Sequence, residues 1–183
     1  MAESFRRGFV PGRHLTGAKT ARSNLYPTDA NLLAPLGVGD AVVLSSGYLQ
    51  RYTTAAAASH LGVVKALYDS NRRPFTHTLP TRAAYLPIST AGWVDVYDDP
   101  DQTFIVECRV SIGPSDRGLI AEVNVTGMNS ATGISRMHVE EATASDAAGI
   151  WRIIGLAPSE LAVTAGGSTN NDIEVVAVIH LYK

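Results

Sequence analysis

The residues in this chain that could do chemistry are few. Asp98, Asp99 and Asp101 crowd a four-residue stretch around Pro100, five histidines are scattered at positions 14, 60, 77, 138 and 180, Glu140 and Glu141 are adjacent, and Cys108 stands alone. Each can be weighed by what its chemistry would require. Three aspartates could form a calcium loop, but the stretch lacks the glycine and the distal glutamate of an EF-hand. A solvated turn is expected there, because proline fixes φ and aspartates bond their own backbone. Adjacent strand residues point to opposite faces, so Glu140 and Glu141 cannot flank one glycosidic bond. The histidines fall in an N-terminal segment, two loops and two strands, with no nucleophile or metal partner at a recognisable spacing. Cys108 sits mid-strand without a second ligand, which suits a buried apolar thiol. No P-loop, dinucleotide fingerprint or nucleophile elbow is present. The chain is therefore expected to be non-enzymatic, with no cofactor and no metal.

The elements that would position these residues are strands. In AGWVDVYDDPDQTFIVECRV, residues 91 to 110, Trp93, Asp95 and Tyr97 alternate with Val94 and Val96, and after the acidic turn Phe104, Val106 and Cys108 alternate with Ile105 and Glu107. Period two predicts a central hairpin with an apolar row on a core. GDAVVLSSGYLQRY predicts another, with strands near 41 to 44 and 48 to 53 around Ser-Ser-Gly. Further strands are expected in LGVVKALYDS, LIAEVNVTG, RMHVEEATA, WRIIGLA and DIEVVAVIHLYK. With turn signals between them and no long alternating helices, the fold class is all-β, an antiparallel sandwich or barrel of jelly-roll type.

Composition agrees. An apolar fraction of 45% with 17% charged residues supports a packed core. A formal net charge of -2 argues against a general nucleic-acid binder. Met1 to Val10 is polar and arginine-bearing, so no secretory leader is expected, and no run reaches membrane-spanning length. The Asn124-Val125-Thr126 sequon is then a chance match.

Charge divides the chain. Residues 1 to 35 carry five basic side chains against two acidic ones, +3, and the remainder ten against fifteen, -5. With Pro11, Pro27, Pro35 and no sustained period, this segment reads as an extended N-terminal arm. Two readings stay open for it. It is a tail, or it orders along an acidic partner through Arg6, Arg7, Arg13, Lys19 and Arg22 with apolar anchors at Phe5, Phe9, Leu15, Leu25 and Tyr26. Deleting residues 1 to 34 is then expected to leave the body folded. Residues 36 to 90 read as a small β subdomain whose long connection carries Arg72, Arg73, Phe75 and Arg82, either a second contact surface or a solvated crossover. Residues 91 to 183 read as the β body.

From residue 91 onward a resemblance appears. The acidic turn at Asp99 and Pro100, the Phe104-led strand, Asn129 with Thr132-Gly133 and Ser135, the strand Ile153-Ile154-Gly155-Leu156 and the closing DIEVVAVIHLYK together resemble the capsid cement or decoration proteins of tailed bacteriophages. The resemblance implies a virion protein made in the host cytoplasm that binds the outside of the expanded head and staples neighbouring major capsid protein subunits. It also implies a homo-oligomer, trimer before dimer, and neither nucleic acid nor membrane as a partner. The arm and the Arg72 to Arg82 loop would be the capsid contacts. The competing class is a fibre or receptor-binding protein recognising a surface glycan, which exposed Trp93, Tyr97 or Trp151 would favour.

Overall fold

The computed structural model describes residues 8–17, 22–53, 60–75, 85–108, 116–125, 127–143, 151–156 and 171–177. They form eleven strands: β1 (Val10–His14), β2 (Ser23–Thr28), β3 (Ala41–Ser45), β4 (Tyr48–Arg51), β5 (His60–Tyr68), β6 (Gly92–Tyr97), β7 (Gln102–Cys108), β8 (Ile120–Asn124), β9 (His138–Thr143), β10 (Trp151–Leu156) and β11 (Asn171–Ala177). The protein is all-β.

Two sheets share the strands. β2, β4, β3, β5 and β6 close a five-stranded barrel, and the order β1-β7-β11-β10-β8-β9 makes a second sheet. The barrel is closed by one parallel pairing, Thr28 with Leu49. The second sheet curls back in the same way, through a single parallel pairing of Cys108 with Val139. Closure hides strand edges that would otherwise offer unpaired backbone groups.

The barrel lumen is filled by aliphatic side chains, among them Leu32, Leu36, Val42, Leu49, Val64, Leu86, Val94 and Val96. A separate core lies between barrel and second sheet. Ala41, Val43 and Val63 from the barrel wall meet Phe104, Val106, Cys108, Val139, Trp151, Ile153 and Val175. β3 therefore faces the lumen through Val42 and the seam through Ala41 and Val43. Its unbroken Ala-Val-Val-Leu run is what a strand buried on both faces requires. The predicted hairpin at β3 and β4 forms around Ser46 (φ 51°) and Gly47 (φ 84°). Two successive positive φ values give a turn whose twist matches its strands. At Gly62 a side chain would run into the Tyr97 carbonyl, so the close approach of β5 to β6 needs glycine.

Two expectations are corrected. β6 and β7 do not form a hairpin: β6 pairs with β2 and β5 in the barrel, and β7 with β1 and β11 in the second sheet. The acidic stretch is a switch between sheets, held by bonds from far upstream that local alternation cannot reveal. Nor is the segment up to Pro35 an arm laid outside the body. β1 lies antiparallel on β7, and β2 pairs with β6 over its full length. Pro11 lies on β1, the end strand of its sheet, where a missing N–H is tolerated. A deletion of residues 1 to 34 would remove one strand from each sheet and open the barrel.

Candidate functional site

The sheet switch gathers the densest set of chemistry-bearing side chains. At the end of β1, the Leu15 amide donates to the Asp101 carbonyl (2.9 Å), and the Gln102 and Thr103 side chains donate to backbone carbonyls of Gly12 and Arg13. This fixes His14 over the switch. Its Nε2 lies 3.1 Å from Asp99 Oδ2, and its Nδ1 lies 2.8 Å from Thr16 Oγ1. Asp99 Oδ1 accepts the Asp101 amide (3.0 Å), and one donor atom each from His14, Asp99 and Asp101 lie within 4.8 Å of one another. Burial works to raise the Asp99 carboxyl, but hydrogen bonds from the Asp101 amide, His14 and the Arg22 amide outweigh it and hold it below the usual range. On the other flank, Asp98 Oδ2 accepts from Asn24 Nδ2 and Tyr26 Oη, both at 2.6 Å. The Asp98 carboxylate thus ties β2 to the switch, and Asp99 ties β1.

A second polar group is buried beside the seam. The Asp40 carboxylate accepts the Gly37 amide (2.8 Å) and lies 3.8 Å from Arg51 Nε, while Arg51 Nη2 donates to the Val125 carbonyl. Burial raises the Asp40 carboxyl above its ordinary range, against the pull of Arg51, Ser135 and the Gly37 amide. His60 stands between Tyr52 and Trp151, its ring 4.6 Å from the indole, and among the described residues neither ring nitrogen has a hydrogen-bond partner. Burial alone depresses it to about 3, so it is neutral at ordinary pH.

The expected contact residues are dispersed. Phe9 is not a free anchor: it is 2% exposed and stacks on Trp151 with centroids 4.3 Å apart. Tyr26 turns its ring to the barrel core and its hydroxyl to Asp98. Phe75 packs against the same core, because Asp69 caps a tight turn that folds Pro74 back beside Tyr68. Arg13, Leu15, Arg22, Leu25, Arg72 and Arg73 are exposed. Arg22 Nε sits 3.9 Å from Asp98 at one end of β6, and the Arg72 guanidinium covers the Trp93 ring at 4.3 Å at the other. Five residues of extended chain, roughly 17 Å, separate those ends. Arg22 and Arg72 therefore do not belong to one patch. Phe5, Arg6, Arg7, Lys19 and Arg82 lie outside the described residues.

The residues that sequence reasoning missed are apolar. Leu33 is 87% exposed, Ile88 57%, Val38 41% and Ile134 39%. Backbone hydrogen bonds bring their segments together: Ser89 donates to Leu32, Leu36 and Leu86 exchange two bonds, Val38 donates to Gly133, and Ser135 donates to Val38. These bonds place the four exposed apolar side chains on three adjoining segments, 32–38, 86–89 and 133–135. Asn-Leu-Leu-Ala-Pro-Leu-Gly-Val-Gly carries no signal of this, since the buried Leu32 and Leu36 are the same residue type as the exposed Leu33.

This architecture defines an all-β protein in which a barrel and a curled sheet share one seam. Compared with known proteins, the chain matches no family model, and no curated protein or solved structure is significantly similar to it.

Proposed function

We propose that this is a structural virion protein that binds the outer surface of an expanded phage head and staples neighbouring major capsid protein subunits. The observation that carries the reading is the set of exposed apolar side chains Leu33, Val38, Ile88 and Ile134 on three adjoining connectors. Exposed apolar side chains on adjoining segments suit a contact surface. The resemblance read in residues 91 to 183 suggests the partner, the major capsid protein. Assembly as a trimer at a local symmetry axis would multiply such a modest contact through effective concentration.

The glycan-binding alternative has less support. Trp151 is fully buried, and one face of Trp93 is occupied by Arg72, so neither presents an open aromatic platform.

Co-sedimentation with undecorated heads tests the proposal. The full chain is expected to bind saturably at a fixed ratio to capsid subunits. The variant L33D/I88D is expected to keep its thermal midpoint and lose most of its binding, because both side chains are solvent-facing. A chain lacking residues 1 to 7, and with them Phe5, Arg6 and Arg7, keeps β1 and tests the arm contribution separately. Absence of binding by the full chain would overturn the reading and move the question to a glycan screen.

A further inference from the structure

The switch between β6 and β7 holds a ligand set that no part of the proposed function uses. His14 comes from the end of β1 and Asp99 and Asp101 from the switch, more than eighty residues away, yet one donor from each lies within 4.8 Å of the others. The set is built by the fold rather than by local sequence. The β1–β7 register places His14 opposite Gln102, and the Leu15 amide bonded to the Asp101 carbonyl locks the approach.

We propose that His14, Asp99 and Asp101 bind a divalent first-row transition metal, with Zn²⁺ as the best-matched ion, clipping β1 to the switch between the two sheets. Three observations carry this. Donors around one such ion stand about 2.0–2.2 Å from it and therefore about 3–4 Å apart, and the 3.1 Å between His14 Nε2 and Asp99 Oδ2 already has that spacing. The second ring nitrogen faces Thr16, whose amide donates to it at 3.3 Å and whose Oγ1 lies at 2.8 Å, so an ion on Nε2 would exchange that amide bond for an Nδ1–H donated to Oγ1, the outer contact that orients a ligating imidazole. Asp99 is likewise oriented, through the Asp101 amide on its Oδ1, while the Asp101 carboxylate makes no hydrogen bond among the described residues. The imidazole selects the ion class. One nitrogen and two carboxylates suit Zn²⁺, Mn²⁺ or Co²⁺, whereas Ca²⁺ and Mg²⁺ prefer oxygen alone. All three residues are only partly buried, so water can complete the coordination.

This inference is independent of the capsid reading and is tested without capsids. Isothermal titration of the full-length protein with ZnCl₂, after chelator treatment, is expected to show one ion per chain. Asp101→Asn leaves the backbone bonds of the switch in place and is expected to weaken Zn²⁺ at least about tenfold, and His14→Ala more. Zn²⁺ is expected to raise the thermal midpoint of the native chain and leave that of His14→Ala unmoved, while CaCl₂ shifts neither. If the native chain takes up no stoichiometric Zn²⁺, or if D101N and H14A bind as the native chain does, the proposal is overturned. Equal binding of Ca²⁺ would overturn the role given to His14. Circular dichroism of both variants before titration establishes that any loss is one of ligands and not of fold.

Discussion

The barrel lumen and the seam between the sheets are built from the same strands and yet differ in kind. The buried side chains of the lumen cluster are aliphatic, Leu32, Leu36, Leu49, Leu61, Leu67 and Leu86 with valines from β3, β5 and β6, and Tyr26 and Phe75 pack only at its margin. The seam is aromatic and carries polar groups: Phe9, Phe104, Trp151 and Tyr52 surround His60, and Asp40 and Arg51 lie fully or nearly buried alongside. A lumen lined from all sides by one barrel can be filled with interchangeable aliphatics. A seam between two curved surfaces needs large rigid side chains to fill its irregular gap, and it encloses whatever polar groups the connectors bring. Stability in the lumen should therefore depend on volume, and stability at the seam on volume and pH.

The largest expected effect comes from His60. Its folded pKa is about 3 against 6.5 when unfolded, so the unfolded chain binds more protons between those values. The stability this group contributes is complete above pH 6.5 and is lost as pH falls toward 3, by roughly 5 kcal/mol in all. Asp40 works with the opposite sign. Its carboxyl is raised above 3.8, so its contribution is complete below that pH and declines as pH rises. Urea denaturation across pH 3 to 7 separates them. His60→Leu should flatten the acid limb, since it removes a buried group whose two nitrogens are unpartnered among the described residues; an acid limb unchanged in His60→Leu would show that the seam does not set the pH response.

Next in size is truncation of either core. Trp151→Ala should cost about 3–5 kcal/mol and Leu49→Ala about 2–5 kcal/mol, the lost burial plus the cavity left behind. Because β3 serves the lumen with Val42 and the seam with Ala41 and Val43, both variants should unfold in one transition with unchanged denaturant slope. Tryptophan fluorescence and far-ultraviolet circular dichroism should coincide. Two separated transitions in Leu49→Ala would mean the barrel folds as its own unit and would dissolve the comparison drawn above.

What could be read from the chain follows the same division. The β3–β4 hairpin was legible because its turn chemistry and alternation are contained in a dozen residues. The strands β7, β8, β10 and β11 were legible as strands for the same reason. Their partners were not. Tyr97 and Gln102 flank a stretch that looks like a hairpin turn, and only the bonds from Asn24 and Tyr26 to Asp98 and from His14 to Asp99 reveal a crossing between sheets. Residues 10–14 and 23–28 hid as an arm because prolines and basic residues suppress the period-two signal in strands that borrow their order from β7 and β6. The His14 ligand set was invisible for that reason: its imidazole belongs to the very segment whose strand character the sequence conceals. The exposure of Leu33 was equally hidden, since it depends on which neighbours the fold leaves a leucine without.

The smallest effect sharpens what the outer face of the barrel contributes. Arg72 holds a positive φ of 61° at the tip of the Asp69-capped turn, a conformation that costs a side-chain-bearing residue about 1 kcal/mol, and its guanidinium lies over Trp93. The two terms oppose each other. Arg72→Ala keeps the strained backbone and loses the cation–π contact, so it should destabilise by about 0.5–1 kcal/mol. Arg72→Gly loses the same contact but relieves the strain, partly offset by glycine's larger entropy loss, so it should destabilise no more than Arg72→Ala. Both remove the same ring contact, so the difference between the two variants in urea denaturation measures the strain relieved less the greater backbone entropy that glycine loses on folding. Greater destabilisation by glycine than by alanine would mean that the turn, fixed by the Asp69 bonds to Asn71 and Arg73, carries no strain at this position. Exposing the Trp93 ring in either variant also tests the glycan alternative on its own ground, since an aromatic platform uncovered by loss of Arg72 should gain sugar affinity if that face binds sugars at all.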